Sequence, residues 1–132
     1  MKNGLMVNKN GTKWWWLNDQ LHREDGPAME FAGGEKRWYI HGELHRQDGP
    51  AIEHLDGSKY WYQYGIPHRV DGPAIECANG TKYWIVNNKY HREDGPAVEI
   101  PNIYNQWFIN GEQVKCNKQE DFLRIIKLKA FW

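Results

Sequence analysis

The sequence has few of the residues and runs on which several classes of protein depend. Of its 132 residues only two are cysteine, Cys77 and Cys116, and they occupy unrelated places in the chain. This favours two reduced thiols in a cytoplasmic protein over a disulfide. No apolar run approaches the length of a membrane span, and Met1 to Asn10 lacks the apolar core of a signal peptide. We therefore expect an intracellular chain without a membrane segment.

The sequence also carries no net charge. The 17 basic residues balance the 17 acidic ones, so the formal net charge is zero. Neutralising phosphates or anionic headgroups requires a cationic excess. We therefore expect neither nucleic acid nor a membrane among the partners.

Features of catalysis are scarce as well. The only serine, Ser58, is not in a nucleophile elbow, and no glycine-rich phosphate loop precedes a helix. Cys116 has no base placed beside it by the sequence, so an inert thiol is favoured over a nucleophile. Paired carboxylates occur only as repeated Glu and Asp, which a regular array places in like environments. We expect no enzymatic activity and no cofactor.

What the sequence does contain is a repeat. His-Arg-x-Asp-Gly-Pro-Ala occurs at His22–Ala28, His45–Ala51, His68–Ala74 and His91–Ala97, a step of 23 residues. Trp keeps the same step at Trp15, Trp38, Trp61, Trp84 and Trp107. A fixed period of this length indicates units that pack mainly on their neighbours.

Each repeat reads as a β-hairpin. Two β-prone runs flank Asn10-Gly11, a strong signal for a two-residue turn, and the site recurs at Gly33-Gly34, Asp56-Gly57 and Asn79-Gly80. Asn102-Ile103 in the last copy predicts a different turn. Counting outward from two-residue turns places an aliphatic side chain opposite each Trp, as a cross-strand pair. The expected pairs are Met6–Trp15, Met29–Trp38, Ile52–Trp61, Ile75–Trp84 and Val98–Trp107.

A second turn follows each Trp strand and leads into the His-Arg-x-Asp-Gly-Pro loop. Positive φ is expected at Gly42, Gly65 and Gly111, and at Asp19 and Asn88, which replace Gly. The loop Asp is predicted to accept backbone N–H bonds. The four His-x-x-Asp pairs are metal candidates, but identical pairs in every repeat favour a structural ladder in which each His bonds to a neighbouring loop.

The repeat ends after Gly111. Asn117 with Glu120 has capping-box character, and a helix-compatible apolar pattern follows. The predicted fold is an all-β repeat, a single-layer antiparallel meander of about five β-hairpins capped by a C-terminal α-helix. We expect one domain over 1–132, with hairpin repeats over 5–116 and the capping helix over 117–132.

The repeat resembles a known family. Gly34-Glu-Lys-Arg-Trp38-Tyr39-Ile-His-Gly42-Glu-Leu-His45 is similar to MORN repeats, especially their bacterial and phage variant. The resemblance spans about Leu5 to Gly111 and implies a MORN-like solenoid that serves as a scaffold for proteins, or in some members for lipids. The His-Arg-x-Asp-Gly-Pro-Ala segment departs from the ordinary MORN loop, which is richer in glycine.

The candidate site is the ribbon side opposite the predicted Trp stripe. In the two-residue-turn register, Glu residues and small residues there face Arg and Tyr, which are favoured at interface hot spots. A partner-contact surface and an ordinary solvated face both fit this pattern. The predicted partner-binding residues are Arg37, Tyr39, Glu53, Tyr60, Tyr62, Glu76 and Tyr83. Trp14 and Trp16 fit either a cap on the first strand or a stacking platform.

Together these features predict a non-enzymatic repeat scaffold that binds a protein target and inhibits it by occlusion. With the family resemblance, the expected role is a phage-encoded anti-defence protein or an antitoxin-like neutraliser, acting in the cytoplasm. A protein that sequesters a small molecule or nucleotide signal, or a structural phage component, is the alternative. A homodimer is a further arrangement open to such a chain.

Overall fold

A computed structural model describes residues 1–129. Antiparallel strands form a meander of hairpins with a single C-terminal helix, so the predicted fold class is confirmed. The chain divides into two compact units, Met1–Pro67 and His68–Trp132. The part of the predicted helix at 130–132 lies outside the described residues.

Strands in the first unit are short. They are β1 (Gly4–Val7), β2 (Lys13–Leu17), β3 (Gln20–Leu21), β4 (Met29–Glu30), β5 (Lys36–Arg37), β6 (Tyr39–Ile40), β7 (Glu43–Leu44), β8 (Ile52–Glu53), β9 (Lys59–Tyr60), β10 (Tyr62–Gln63) and β11 (Ile66–Pro67). Strands β1, β2, β4, β5, β8 and β9 pair in that order, and β3 pairs with β2. Strands β6–β7 and β10–β11 form separate two-stranded ribbons.

The second unit repeats this plan and adds the helix. Its elements are β12 (Ile75–Glu76), β13 (Lys82–Tyr83), β14 (Ile85–Val86), β15 (Lys89–Tyr90), β16 (Val98–Ile100), β17 (Tyr104–Ile109), β18 (Glu112–Val114) and α1 (Gln119–Lys129). Strands β12, β13, β16, β17 and β18 pair in that order, and β14–β15 form a separate ribbon. A middle repeat therefore contains a hairpin of the main sheet and a second, smaller hairpin.

The main-sheet turns contain three residues, and this corrects the predicted register. Phe31 N–H donates to Glu35 C=O (2.9 Å), and Gly34 N–H donates to Phe31 C=O (2.9 Å). Gly34 has φ of 112°, as expected for a type I turn followed by a left-handed residue. The same bonds recur at Asn8–Thr12, His54–Ser58 and Cys77–Thr81. One extra loop residue shifts every pair by one position.

The predicted aliphatic–Trp pairs are consequently wrong. Each aliphatic residue instead pairs with the residue that precedes the Trp. The pairs are Met6–Trp14, Met29–Arg37, Ile52–Tyr60, Ile75–Tyr83 and Val98–Gln106. Trp38 instead links the small hairpin of its repeat to the next main-sheet hairpin, because its C=O accepts from His45 N–H (3.1 Å) and its N–H donates to Ala51 C=O (2.8 Å).

The shifted register places opposite charges in cross-strand pairs on one sheet face. Glu30 faces Lys13 and Lys36, and Lys36 also faces Glu53. In the second unit, Lys82 faces Glu76 and Glu99. Directly opposite residues share a face, and opposite charges there stabilise the sheet. We call these residues the Lys–Glu face.

The second turns agree with the sequence. Gly42, Gly65, Gly111, Asp19 and Asn88 all have positive φ, as predicted. The residue before each also has positive φ, which defines a two-residue type I′ turn. Those residues are Asn18, His41, Tyr64, Asn87 and Asn110. The last main-sheet turn is of a different kind, as predicted, with positive φ at Asn102, the middle loop residue.

The C-terminal helix covers the last hairpin. Phe122 is fully buried and packs against Trp107 and Val114, with its ring centroid 6.2 Å from that of Trp107. Gln119 Nε2 donates to Asp94 C=O (2.8 Å), and Gln119 Oε1 accepts from Trp107 Nε1 (2.9 Å). The first helical bond runs from Phe122 N–H to Lys118 C=O. The N-cap is therefore Lys118, one residue beyond the predicted Asn117.

The first strand pairs with β2 along its tryptophans, which are half-buried. Trp14 lies opposite Met6 and Trp16 opposite Gly4. The Lys2 ammonium lies 4.5 Å from the Trp16 ring centroid. Asp19 N–H donates to Lys2 C=O (3.0 Å), which holds this segment in place. Within residues 1–129, no helix is both long enough and apolar enough to cross a membrane.

Candidate functional site

Each His-Arg-x-Asp-Gly-Pro loop is built around its arginine. The guanidinium Cζ atoms of Arg23, Arg46 and Arg92 lie 3.8 to 3.9 Å from the ring centroids of Trp15, Trp38 and Trp84. In all four loops the arginine Nε donates to the loop Asp (2.9 to 3.1 Å), and one NH group donates to the loop Pro C=O (3.0 to 3.1 Å). A stacked, bonded guanidinium is strongly immobilised. We call this arrangement the Arg–Trp frame.

The loop Asp therefore has a different role from the predicted one. Its carboxylate accepts from arginine Nε, while most of its surface faces solvent. The hydrogen bond from Arg23 holds the pKa of Asp25 below its ordinary value. The same guanidinium reaches the next strand, because Arg46 also bonds Glu53 at 3.1 Å and Arg92 bonds Glu99 at 2.6 Å. Each loop is thus tied to the strand that it launches.

The loop glycine is required by the arginine. A Cβ added to Gly49 would lie 2.9 Å from Arg46 Cζ, and one added to Gly72 would lie 2.6 Å from Arg69 Cζ. Neither glycine has positive φ. These positions therefore need glycine because the guanidinium occupies the space that a side chain would fill.

Gly49→Ala is expected to destabilise the fold by about 1–3 kcal/mol, the usual cost of overpacking. The added methyl group displaces the Arg46 guanidinium from Trp38. Chemical denaturation measures the change. Gly33→Ala is the matched control in the same unit, since a Cβ there meets no atom within 4 Å. Equal stability of the two variants would contradict the role assigned to the Arg–Trp frame.

The loop histidines form the predicted ladder. His22 Nδ1 accepts the N–H of His41 (2.9 Å), and His45 Nδ1 accepts that of Tyr64 (3.1 Å). His68 and His91 accept from Asn87 (2.9 Å) and Asn110 (3.0 Å). Each bond reaches the second turn of the next hairpin. The prediction that each His bonds to a neighbouring loop is confirmed, and these bonds hold the type I′ turns.

Acidification is expected to weaken this ladder at His45. Burial lowers the pKa of His45, and Glu43 opposes the shift only in part. Protonation turns Nδ1 into a donor that faces the Tyr64 N–H, so the bond is lost. Stability from this site is therefore complete above the unfolded-state pKa of about 6.5 and falls as the pH drops through the lower folded-state pKa.

His45→Asn tests this, because its side-chain oxygen keeps an acceptor that does not titrate. Urea denaturation at pH 7 and below should show that the wild type loses about 1 kcal/mol more on acidification than the variant. Parallel pH profiles for the two proteins would refute the assignment.

The predicted partner-binding residues lie in both units and, within the first unit, on both faces of the sheet. Arg37, Tyr39, Glu53, Tyr60 and Tyr62 lie in the first unit, and Glu76 and Tyr83 lie in the second. All are half-buried. The register correction also moves Glu53 away from Tyr60. Glu53 pairs with Lys36 and Lys59 on the Lys–Glu face, whereas Tyr60 pairs with Ile52 on the other. The predicted mixture of Glu with Arg and Tyr on one face is therefore wrong.

The face opposite the Lys–Glu face carries a polar–aromatic cluster in the first unit. Arg37 Nε donates to Glu35 (2.7 Å), and Glu35 also contacts His54 Nδ1 (3.3 Å). The Arg37 guanidinium lies 5.3 Å from the Phe31 ring centroid. The rings of His54 and Tyr60 meet edge-on at 4.9 Å. We call Phe31, Glu35, Arg37, Tyr39, His54 and Tyr60 the Arg37 cluster.

The cluster is electrostatically organised. Burial by itself would lower the pKa of Arg37, but hydrogen bonds with Glu35 and Tyr39 outweigh burial and raise that pKa. Burial likewise favours protonation of Glu35, yet Arg37 and His54 lower the pKa of Glu35 overall. The cluster thus holds a fixed cation and a fixed anion beside aromatic rings.

Tyr83 belongs to an aromatic group within the second unit. Its ring stacks with Tyr90 at 6.0 Å, and Tyr90 meets Phe108 at 5.1 Å. Burial raises the pKa of Tyr83, and Tyr90 and Cys77 add to the effect. Burial also raises the pKa of Cys116, and its thiol donates to Val114 C=O (3.5 Å).

Residue-by-residue reasoning missed Phe31, Glu35 and His54. Each occupies a position that differs between repeats. At the position of Glu35 the other repeats carry Thr12, Ser58, Thr81 and Tyr104, and at that of Arg37 they carry Trp14, Tyr60, Tyr83 and Gln106. The Arg–Trp frame is by contrast repeated almost unchanged. Variation between repeats is therefore the sequence signal that would have found these residues.

A groove lies between successive loops within each unit. In the first unit it measures about 700 Å³ and is lined by Arg23, Asp25, Trp38, Arg46 and Asp48, among others. In the second unit its counterpart measures about 500 Å³ and includes Arg69, Trp84 and Arg92. The arginines in these grooves already bond loop Asp, loop Pro and strand Glu. The Nε and one NH group of each of these arginines are therefore already engaged within the protein.

Searches of the sequence against protein-family models and against curated proteins find no match.

Proposed function

We propose that the protein is a non-enzymatic repeat scaffold that binds a protein target and inhibits it by occlusion. The Arg37 cluster carries this proposal. It gathers an arginine, tyrosines and a histidine on one sheet face, at positions that differ between repeats. The Arg–Trp frame, by contrast, is repeated almost unchanged.

The chemistry of the cluster suits a binding hot spot. Arg and Tyr are enriched among residues that dominate binding energy. Arg37 is held by Glu35 and stacked near Phe31 while its side chain remains one-third exposed. An immobilised side chain loses little entropy on docking, so more of its contact energy appears as affinity. The Lys–Glu face is self-paired, which leaves it less to offer a partner.

The proposed setting is the cytoplasm, with a bacterial defence protein or a toxin as the target. The repeat resembles the bacterial and phage variant of MORN repeats, whose members act as scaffolds. A phage-encoded anti-defence protein or an antitoxin-like neutraliser fits a repeat-built chain of 132 residues.

Affinity capture from bacterial lysate, with the immobilised chain and quantitative mass spectrometry, tests the proposal. Arg37→Ala and Tyr60→Ala should each reduce recovery of the same captured protein by at least about tenfold, the effect of losing roughly 1.4 kcal/mol. Lys36→Ala is the matched control, because Lys36 precedes Arg37 but lies on the Lys–Glu face. Adding the wild-type chain to the purified target should then inhibit that target.

Thermal unfolding of each variant separates binding from folding. If the Arg37→Ala and Tyr60→Ala variants recover the captured protein as fully as the wild type does, the cluster is not the binding site. A target that is captured but keeps full activity would rule out inhibition by occlusion.

A small-molecule or nucleotide-sequestering protein is the second candidate, since the groove beside Trp38 and Arg46 has the volume of a ligand site. Against it, Arg46 covers the Trp38 face, and its Nε and one NH group already donate to Asp48, Pro50 C=O and Glu53. A thermal shift with cyclic nucleotides that is abolished by Gln47→Trp, a change at the groove rim, would favour this candidate over the first.

A further inference from the structure

The first strand has an unpaired edge. Among the residues described, β1 pairs only with β2. Asn8 N–H donates across the hairpin to Thr12 C=O (3.0 Å). Because peptide groups alternate along a strand, those of Leu5 and Val7 point to the open edge. An edge with free donors and acceptors is a template for another strand.

The side chains of β1 are apolar on both faces. Leu5, Met6 and Val7 are consecutive and are 52%, 46% and 55% exposed. Successive residues of a strand point to opposite faces, so both faces of this edge are apolar. A strand that docks here without burying a lone charge must also be apolar on both faces.

Val7 departs from the repeat at the place where charge is expected. Val7 pairs with Lys13, which on its other side pairs with Glu30. In the interior strands β4 and β8 the position of Val7 is held by Glu30 and Glu53. The first strand therefore lacks the carboxylate that would hydrate its edge.

We infer that the open edge of β1 pairs antiparallel with β1 of a second copy of this chain. Only Leu5 and Val7 present peptide groups to the edge, which restricts the register. With the twofold axis at Met6, Leu5 pairs with Val7 of the copy and Met6 pairs with Met6. Lys9 then faces Asn3, and Lys2 faces Asn10, so no like charges meet. All three apolar residues find apolar partners, as a self-complementary twofold interface requires.

The contact is small. A single four-residue strand lies well below the roughly 1,200 Å² of a stable interface, so the dimer forms only at high concentration. Its sheet continues across the twofold axis, which leaves the Arg37 cluster of each copy available.

Sedimentation equilibrium across micromolar to millimolar concentrations tests this inference. The wild-type mass should rise from 15.7 kDa toward twice that value. Val7→Glu should weaken self-association by about tenfold or more, because it places a carboxylate against Leu5 of the copy. This variant keeps its own fold, since it restores the Glu that interior repeats place opposite Lys. Leu55→Glu, at an exposed hairpin tip, is the charge-matched control and should associate like the wild type.

A cysteine test fixes the register. Met6→Cys should form an intermolecular disulfide under mild oxidation, because a non-hydrogen-bonded antiparallel pair brings the two Cα atoms within bonding range. Asn10→Cys should not. A wild type that stays monomeric at every concentration overturns the inference and leaves the edge to a strand of another protein. Equal association of Val7→Glu and wild type, or equal crosslinking of the two cysteine variants, also overturns it.

Discussion

Arg46→Ala should lower the free energy of unfolding by about 2–4 kcal/mol, from the loss of a charge-assisted bond network and a desolvated cation–π contact. The guanidinium lies 3.8 Å from the Trp38 centroid, and it bonds Asp48, Pro50 C=O and Glu53 at 3.1 Å each. Truncation removes all four contacts and leaves a space between Trp38 and Gly49. Urea denaturation, monitored by tryptophan fluorescence, measures the loss.

Arg46→Lys should recover only a minor part of this loss, because an ammonium cannot stack flat on an indole while bonding three acceptors. Arg124→Ala is the control. Arg124 is mostly exposed, with a 3.7 Å contact to Asp121, and should change stability very little. If Arg46→Lys is as stable as the wild type, charge alone suffices and the stacking geometry is not important.

Phe122→Ala should lower the free energy of unfolding by about 3–5 kcal/mol, the usual loss when a buried phenylalanine is truncated. Phe122 is fully buried against Trp107 and Val114. In the last repeat Lys115 stands in place of the loop arginine. The Phe122 ring, instead of a guanidinium, contacts the Trp107 indole. Its removal exposes Trp107 and releases α1, so helical circular dichroism and stability should both fall.

Leu123→Ala is the matched control, because Leu123 follows Phe122 in the same helix but is 47% exposed. Leu123→Ala should lower the free energy of unfolding much less than Phe122→Ala does, and it should change the helical circular dichroism signal very little. A Phe122→Ala protein that retains wild-type stability would show that α1 does not close the repeat.

Residues that recur in every 23-residue repeat have a different role from residues that vary between repeats. The repeated His, Arg, Asp, Gly and Trp build the loops and link successive hairpins within each unit, as His45 does through Tyr64. They account for the fold without reference to a partner. Variable positions such as Glu35, Arg37 and His54 are not needed for that linkage, and they are where a binding function is free to develop.

The sequence by itself determined the repeat, the hairpins, the positive-φ second turns and the closing helix. These depend on local chemistry: a 23-residue period, turn residues such as Gly42, and an apolar helical pattern after Asn117. Each is specified within a few neighbouring residues, so it can be predicted without knowing what lies across the sheet.

The tertiary structure alone decided the register and which side chains meet in the Arg37 cluster. A third loop residue beside Gly34 shifts every strand pair by one, which moved Glu53 and Glu76 to the Lys–Glu face and left Arg37 and Tyr60 on the other. It also placed Arg46 on Trp38 and gathered Phe31, Glu35 and His54 around Arg37. These outcomes depend on turn geometry and on contacts between distant residues, and strand patterns of period two do not distinguish one turn length from the next.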